Sequence, residues 1–150
     1  MAALRLEELT AKTIVAARNL SLKKGQEAFI APETYVHAED QIDPAASWPR
    51  VVMDDDDVVG YIMGTFDPNA AEDFLKAALW KVNVEARAQG RGVGRFAVDA
   101  LADEARRRGF HQLTVVWASG EAGPEEFFKA IGFTIVGQTP YGENLGALKL

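Results

Sequence analysis

Three glycines at alternate positions, Gly90, Gly92 and Gly94, sit where an apolar strand pattern gives way to a helical one. Glycine removes the Cβ atom, so a ligand can approach the main chain, and the first N–H groups of a helix have no partner inside it. Those donors and the positive helix end favour a phosphate. Arg91 and Arg95 flank the turn and can add charge-assisted hydrogen bonds. By themselves the glycines fit a plain helix start equally well. Two rival phosphate motifs fit poorly. Gly92-Val93-Gly94-Arg95-Phe96-Ala97 has dinucleotide-fingerprint spacing, yet Leu113, Thr114 and Val115 stand where an acidic residue is expected roughly 20 positions on. A Walker loop requires Gly-Lys-Ser/Thr, which the sequence lacks.

The surrounding pattern supplies elements to hold this turn. Leu4, Leu6 and Leu9 suggest an opening strand, and Thr10 is expected to cap a helix through about Leu20, with Ile14, Val15, Ala17 and Arg18 at helical spacing. Ser21 to Ile30 reads as a loop, and Pro32-Glu33 as the first turn of a second helix to about Gln41. Arg50–Met53 and Val58–Met63 form an expected antiparallel hairpin, with Asp54–Asp57 at its solvated tip. A further strand centres on Leu79–Val84. Arg95–Arg108 carries an apolar stripe of Phe96, Val98, Leu101 and Ala105, stopped by Gly109. Gln112–Trp117 is a strand, Pro124–Ile131 a short helix, and Phe133–Val136 and Leu145–Leu150 the last strands. The 150 residues therefore read as one mixed α/β domain with an antiparallel portion to its sheet.

Composition narrows the chemistry. With no cysteine and only His37 and His111, thiolate chemistry is excluded and no metal site is expected. The Asp54–Asp57 run lacks the spacing of a calcium loop. The N-terminus has no apolar segment of the kind a signal peptide needs, and no apolar run reaches about 18 residues. A soluble, cytoplasmic protein without membrane contact is the expectation. The net charge of −6 is uneven: residues 81–112 hold 7 Lys/Arg against 4 Asp/Glu, and residues 1–80 hold 7 against 14. A basic middle in an acidic protein suits a small polyanion bound at one place, not a nucleic-acid surface.

The stretch Val82-Asn83-Val84-Glu85-Ala86-Arg87-Ala88-Gln89-Gly90-Arg91-Gly92-Val93-Gly94, together with Glu126-Phe127-Phe128-Lys129-Ala130-Ile131-Gly132-Phe133, resembles the GNAT superfamily of acyl-CoA-dependent N-acyltransferases. Lys24–Pro32, Tyr35, Ala46–Arg50 and Gly120–Glu125 are similar to a bacterial branch labelled diamine or spermine/spermidine acetyltransferases. This resemblance implies a central, mostly antiparallel, twisted sheet of six to seven strands, splayed at the cofactor site and flanked by about four helices. It implies acetyl-CoA as cofactor and a small-molecule primary amine, polyamine-like, as acceptor, with a homodimer as a common assembly. The main chain of Val82 and Val84 would pair with the pantetheine. Gln89, Gly90, Arg91, Gly92, Val93, Gly94 and Arg95 would hold the pyrophosphate, with Phe127 and Phe128 beside the cofactor. The amine would attack the thioester directly, and the Val84 N–H would stabilise the oxyanion.

The sequence departs from the family pattern at two positions. Phe128 stands where the family carries a tyrosine that protonates the departing thiolate, and general acid catalysis is worth roughly 10²–10⁴-fold. Trp80 stands near a position where related polyamine enzymes carry a carboxylate. Tyr35 and Tyr141 are candidate replacement acids, Glu85 a candidate proton relay, and His37 a candidate base. Glu27, Glu33 and Glu39 are candidates for an acidic acceptor wall. The alternative to an enzyme is a non-catalytic acyl-CoA-binding sensor or scaffold with a degenerate acid position.

Overall fold

Four consecutive carboxylates repel one another along an extended edge, so the chain reverses among them. Asp55, with a left-handed φ of 52°, and Asp56 form the exposed turn between β2 (Ser47–Asp54) and β3 (Asp57–Phe66). A computed structural model describes residues 3–20, 33–38, 43–118 and 124–150, and shows this hairpin as the start of a seven-stranded sheet. On one side β1 (Leu4–Glu8) pairs antiparallel with β2. On the other, β4 (Ala77–Val84) pairs antiparallel with β3, and β5 (Gln112–Trp117) lies parallel to β4. Of the last two strands, β6 (Thr134–Gln138) and β7 (Asn144–Lys149), the second pairs with β5 and the first forms the outer edge.

Strand alternation sends side chains to two faces, and each face has its own helices. Val52, Ile62, Leu79 and Val115 pack against α3 (Val93–Arg107), whose buried stripe includes Val98, Leu101, Ala102 and Ala105. The same cluster takes Phe128 from α4 (Glu125–Ile131). Across the sheet, Val51 and Met53 pack on Ala17 of α1 (Ile14–Arg18), and Val116 packs with Tyr35 and Ala38 of α2 (Glu33–Ala38). These are the expected mixed α/β sheet and its four α-helices, counted among the described residues.

The first helix is shorter than its spacing suggests. Thr10 heads the turn before α1: its carbonyl accepts the Ile14 N–H and its hydroxyl accepts the Lys12 N–H, while Thr13 occupies the N-cap and its hydroxyl accepts the Thr10 N–H instead of capping the helix. Local threonine-to-backbone bonds of this kind compete with a helical turn. The second helix was expected to run to Gln41; residues 39–42 lie outside the described residues, as do Lys24–Pro32 and Gly120–Gly123.

The basic middle of the sequence also divides in space. Arg106, Arg107 and Arg108 pair with Asp103 and Glu104 at the far end of α3. A helix rises about 1.5 Å per residue, which puts them roughly 20 Å from the glycine turn. The sequence excess of positive charge is therefore not one anion site.

Beneath β7, Trp117 is 1% exposed and its indole packs against the strand at Gly146, where a Cβ would stand 2.5 Å from the ring. The indole cannot yield, because its Nε1 donates to Glu125 and its ring packs on Phe128. Gly146→Ala is expected to cost about 1–3 kcal/mol, measured as a lowered midpoint in urea with an unchanged m-value.

Candidate functional site

β4 and β5 pair only at Ala78 with Thr114 and at Leu79 with Val115; beyond that they part. The divergence begins where β4 carries an extra residue: Met63 pairs with Lys81 but Gly64 with Leu79, leaving Trp80 as the bulge. A bulge bends its strand and sharpens its twist, which here swings the second half of β4 away from β5. Glu85 donates its N–H to the Val59 carbonyl of β3 at 2.9 Å. Main-chain groups alternate direction along a strand, so those of Val84 and Val82 turn the other way, onto the edge that β5 has left. An extended ligand with amide groups can continue the sheet there.

The glycine turn closes one end of this open edge. Gln89 reaches back to the Val84 carbonyl at 3.4 Å, across the short 3₁₀ turn Ala86–Ala88. Gly90 and Gly92 have φ of 82° and 81°, a left-handed backbone that favours glycine. Phe96 donates to the Gly92 carbonyl, so the N–H groups of Val93, Gly94 and Arg95 precede the first i−4 bond of α3. Among the described residues, none beyond the chain neighbours lies within 4 Å of where a Cβ on Gly90 or Gly92 would stand. A Cβ on Gly94, by contrast, would meet the Phe127 ring at 2.9 Å and Val84 Cγ2 at 3.4 Å. Strand end, glycine turn and α4 thus converge on one spot.

The two arginines of the turn separate. Arg91 is exposed at the turn itself. Arg95 instead directs its guanidinium to the Ala130 carbonyl at 3.3 Å and to Asp99 at 3.9 Å, which ties α3 to α4. The two phenylalanines separate as well. Phe127 is half-buried against Gly94, whereas Phe128 is 5% exposed and packs among Trp117, Phe127 and Phe133. Glu125 anchors the start of α4: its carboxylate accepts from Trp117 and Asn144, both at 3.2 Å. Lys129 and then Trp117 hold that carboxyl below the usual carboxylate range.

Tyr35 changes role. Its hydroxyl donates to the Leu79 carbonyl at 2.9 Å and accepts from the Val116 N–H at 3.1 Å. Leu79 is the last β4 residue paired with β5, and Val116 follows Val115, the last β5 residue paired with β4, so the phenol bridges the root of the fork. Its ring stacks on Trp80 at 4.3 Å, and Trp80 in turn donates to Thr65. Burial pushes the phenol well above its ordinary value. A fully buried hydroxyl whose proton is committed to a main-chain carbonyl positions strands; the acid role expected from sequence gives way to this one. Beside it, Thr34 donates its N–H and hydroxyl to the buried Glu143, pinning α2 to the β6–β7 loop.

The remaining candidates are spread more widely. Glu85 is half-buried at the end of β4, and Tyr141 is 49% exposed in the β6–β7 loop. Glu27 and Glu39, and the side chains of Glu33 and His37, lie outside the described residues. Sequence reading missed Lys81 and Asn83, which face α1 while Val82 and Val84 pack toward α3. The alternation Lys-Val-Asn-Val was the available signal.

This geometry meets an independent likeness in sequence. A family model described as "Acetyltransferase (GNAT) family" matches residues 14–133. The chain belongs to the GNAT acetyltransferase family. GNAT acetyltransferases use acetyl-CoA, and the open edge of β4 with its uncrowded glycine turn fits that cofactor. A curated relative, the L-methionine sulfoximine/L-methionine sulfone acetyltransferase of Salmonella typhimurium, is 30% identical over 62% of this chain. The match covers 54% of that protein, so the chain spans about half the length of the curated relative. An acetyltransferase structure from Thermus thermophilus superposes with a TM-score of 0.73 at 24% identity, covering 100% of both chains. The PaiA N-acetyltransferase of Thermoplasma acidophilum, solved with coenzyme A, gives a TM-score of 0.71 at 13% identity over 99% of each chain. These two likenesses establish the GNAT fold. Among the described residues no helix is long and apolar enough to cross a membrane.

Proposed function

We propose that this protein transfers the acetyl group of acetyl-CoA to a primary amine of a small molecule by direct attack. The observation that carries the reading is the edge of β4 from the Trp80 bulge to the glycine turn, which pairs with no described strand once β5 has parted from it. Acetyl-CoA supplies the thioester carbon and, on transfer, a thiol leaving group. The chain's own work is positioning. Val82 and Val84 offer main-chain groups along the edge, and the Val84 N–H is set to receive the oxyanion. Gly90 to Gly94 and Arg91 hold the pyrophosphate, with the Phe127 ring flanking Gly94. Glu85 at the strand end can relay the amine's proton through water. Phe128 has no proton to give, so the leaving thiolate takes one from solvent or from exposed Tyr141.

The acceptor class is the finer part of the proposal. The N-terminal resemblance favours a polyamine; the Salmonella relative is named for methionine sulfoximine and methionine sulfone, which are amino-acid derivatives. The cations Arg18 and Lys81, which line one cavity beside β4, support the second class. A cytoplasmic location and a homodimer complete the reading.

Two measurements test the function. Coenzyme A at 100 times its Kd is expected to stabilise the fold by about 2.7 kcal/mol, read as a rise in Tm. Incubation with acetyl-CoA and an amine panel is expected to release thiol and add one acetyl mass to an acceptor. An unmoved Tm would remove the cofactor claim, whereas a raised Tm without product would favour the non-catalytic sensor that Phe128 motivates.

A further inference from the structure

On the sheet face opposite α3, a cavity of about 400 Å³ opens between α1 and strands β3 and β4. Its walls from Leu9 and α1 are apolar, and its polar lining consists of Arg18, Tyr61, Lys81 and Asn83. No carboxylate lines it among the described residues, although the chain as a whole carries a net charge of −6. Neither Arg18 nor Lys81 forms an ion pair with a described residue. Exposed Arg18 and half-buried Lys81 thus share one hollow with neutral hydrogen-bonding groups. Burial raises the Tyr61 phenol, which keeps it a neutral hydroxyl there.

The cavity and the open edge belong to the same few residues. Lys81 and Asn83 turn into the cavity, while Val82 and Val84 present their main chain to the edge. Successive strand residues advance about 3.3 Å, so Val84 lies one step beyond Asn83 and roughly 10 Å beyond Lys81, a span that the long Lys81 side chain and a short acceptor bridge together. Such an acceptor is small. A polyamine would bring a second ammonium toward these two cations, which like charges oppose. A carboxylate would satisfy both cations through charge-assisted hydrogen bonds.

We infer that the acceptor is an amine that also bears a carboxylate, an α-amino acid or a close analogue. Arg18 and Lys81 pair with the acid group, Asn83 and Tyr61 hydrogen-bond beside it, and the apolar wall of α1 covers a short side chain. The inference rests on the acetyl-transfer reading above. In the reaction the amine nitrogen bonds to the acetyl carbon, the C–S bond breaks, and the nitrogen's proton ends on the CoA sulfur. The products are an N-acetylated acid and free CoA.

The test uses the full chain, acetyl-CoA, the common L-amino acids, their carboxamides, and spermidine, with products followed by mass. The best acid is expected to exceed its own amide and spermidine at least tenfold in kcat/KM. Lys81→Met is expected to shrink the acid-to-amide ratio below threefold, chiefly by raising KM for the acid. Arg18→Gln, on the surface of α1, provides a second variant with the same expected direction if Lys81→Met folds poorly. A preference for spermidine or the amides, or an acid preference untouched by both variants, overturns the inference while leaving acetyl transfer intact. Absence of product from every acceptor overturns the transfer reading itself, and this inference with it.

Discussion

Gly92→Ala is expected to weaken coenzyme A binding at least tenfold, about 1.4 kcal/mol, while the protein remains folded. The residue adopts φ 81°, and an L side chain in that region costs roughly 1–2 kcal/mol of local strain. Strain alone would not touch affinity. The affinity loss arises because, among the described residues beyond its chain neighbours, none comes within 4 Å of the space beside Gly92, so a methyl group there would intrude on whatever the turn cradles. Gly109 supplies the control. It has φ 87°, is equally uncrowded, and follows the opposite end of α3. Gly109→Ala should therefore lose similar stability and keep its affinity for CoA. Calorimetric titration of both variants separates the effects, and equal CoA affinities in the two would remove the pyrophosphate from this turn.

The second large effect is expected at Tyr35. Tyr35→Phe deletes the hydroxyl that joins Leu79 of β4 to Val116 of β5 and leaves a buried carbonyl and a buried N–H without a partner. Each such orphan costs roughly 1–3 kcal/mol. The Tm is expected to fall by several degrees, and kcat/KM to fall at least tenfold as the fork between the strands loosens. The pH profile distinguishes this from acid catalysis. A positioning role lowers the rate at every pH and leaves the shape of the profile unchanged. Loss of a limb of the profile with full stability would instead return Tyr35 to the role of proton donor.

Much of the frame was legible in residue order. The four aspartates forced a hairpin tip, the stripe of Val98, Leu101 and Ala105 required a buried helix face, and β5 has the boundaries read from its β-branched run. These are local statements: charge repulsion along an extended edge, and a period of 3.6 or 2. The glycine turn belongs with them, because left-handed backbone and missing Cβ atoms are properties of a few consecutive residues. The overextended first helix shows the limit of that approach. Threonine hydroxyls at Thr10 and Thr13 satisfied backbone groups locally, and periodicity does not register such bonds.

Other decisions were made only by folding. Arg91 and Arg95 are equivalent in sequence, yet one stays at the turn and the other bonds to α4. Phe127 and Phe128 are neighbours, but helix geometry turns one toward Gly94 and the other into the core. Tyr35 sits 44 residues before Leu79 and 81 before Val116, separations at which no spacing rule operates. The sequence by itself determined the family, the sheet's main strands and the glycine turn, because each rests on short-range pattern. Tertiary structure decided which tyrosine holds the strand fork and which cations face the acceptor cavity. Those outcomes depend on sheet twist and on a single bulged residue at Trp80, which sets the direction of every side chain and main-chain group beyond it.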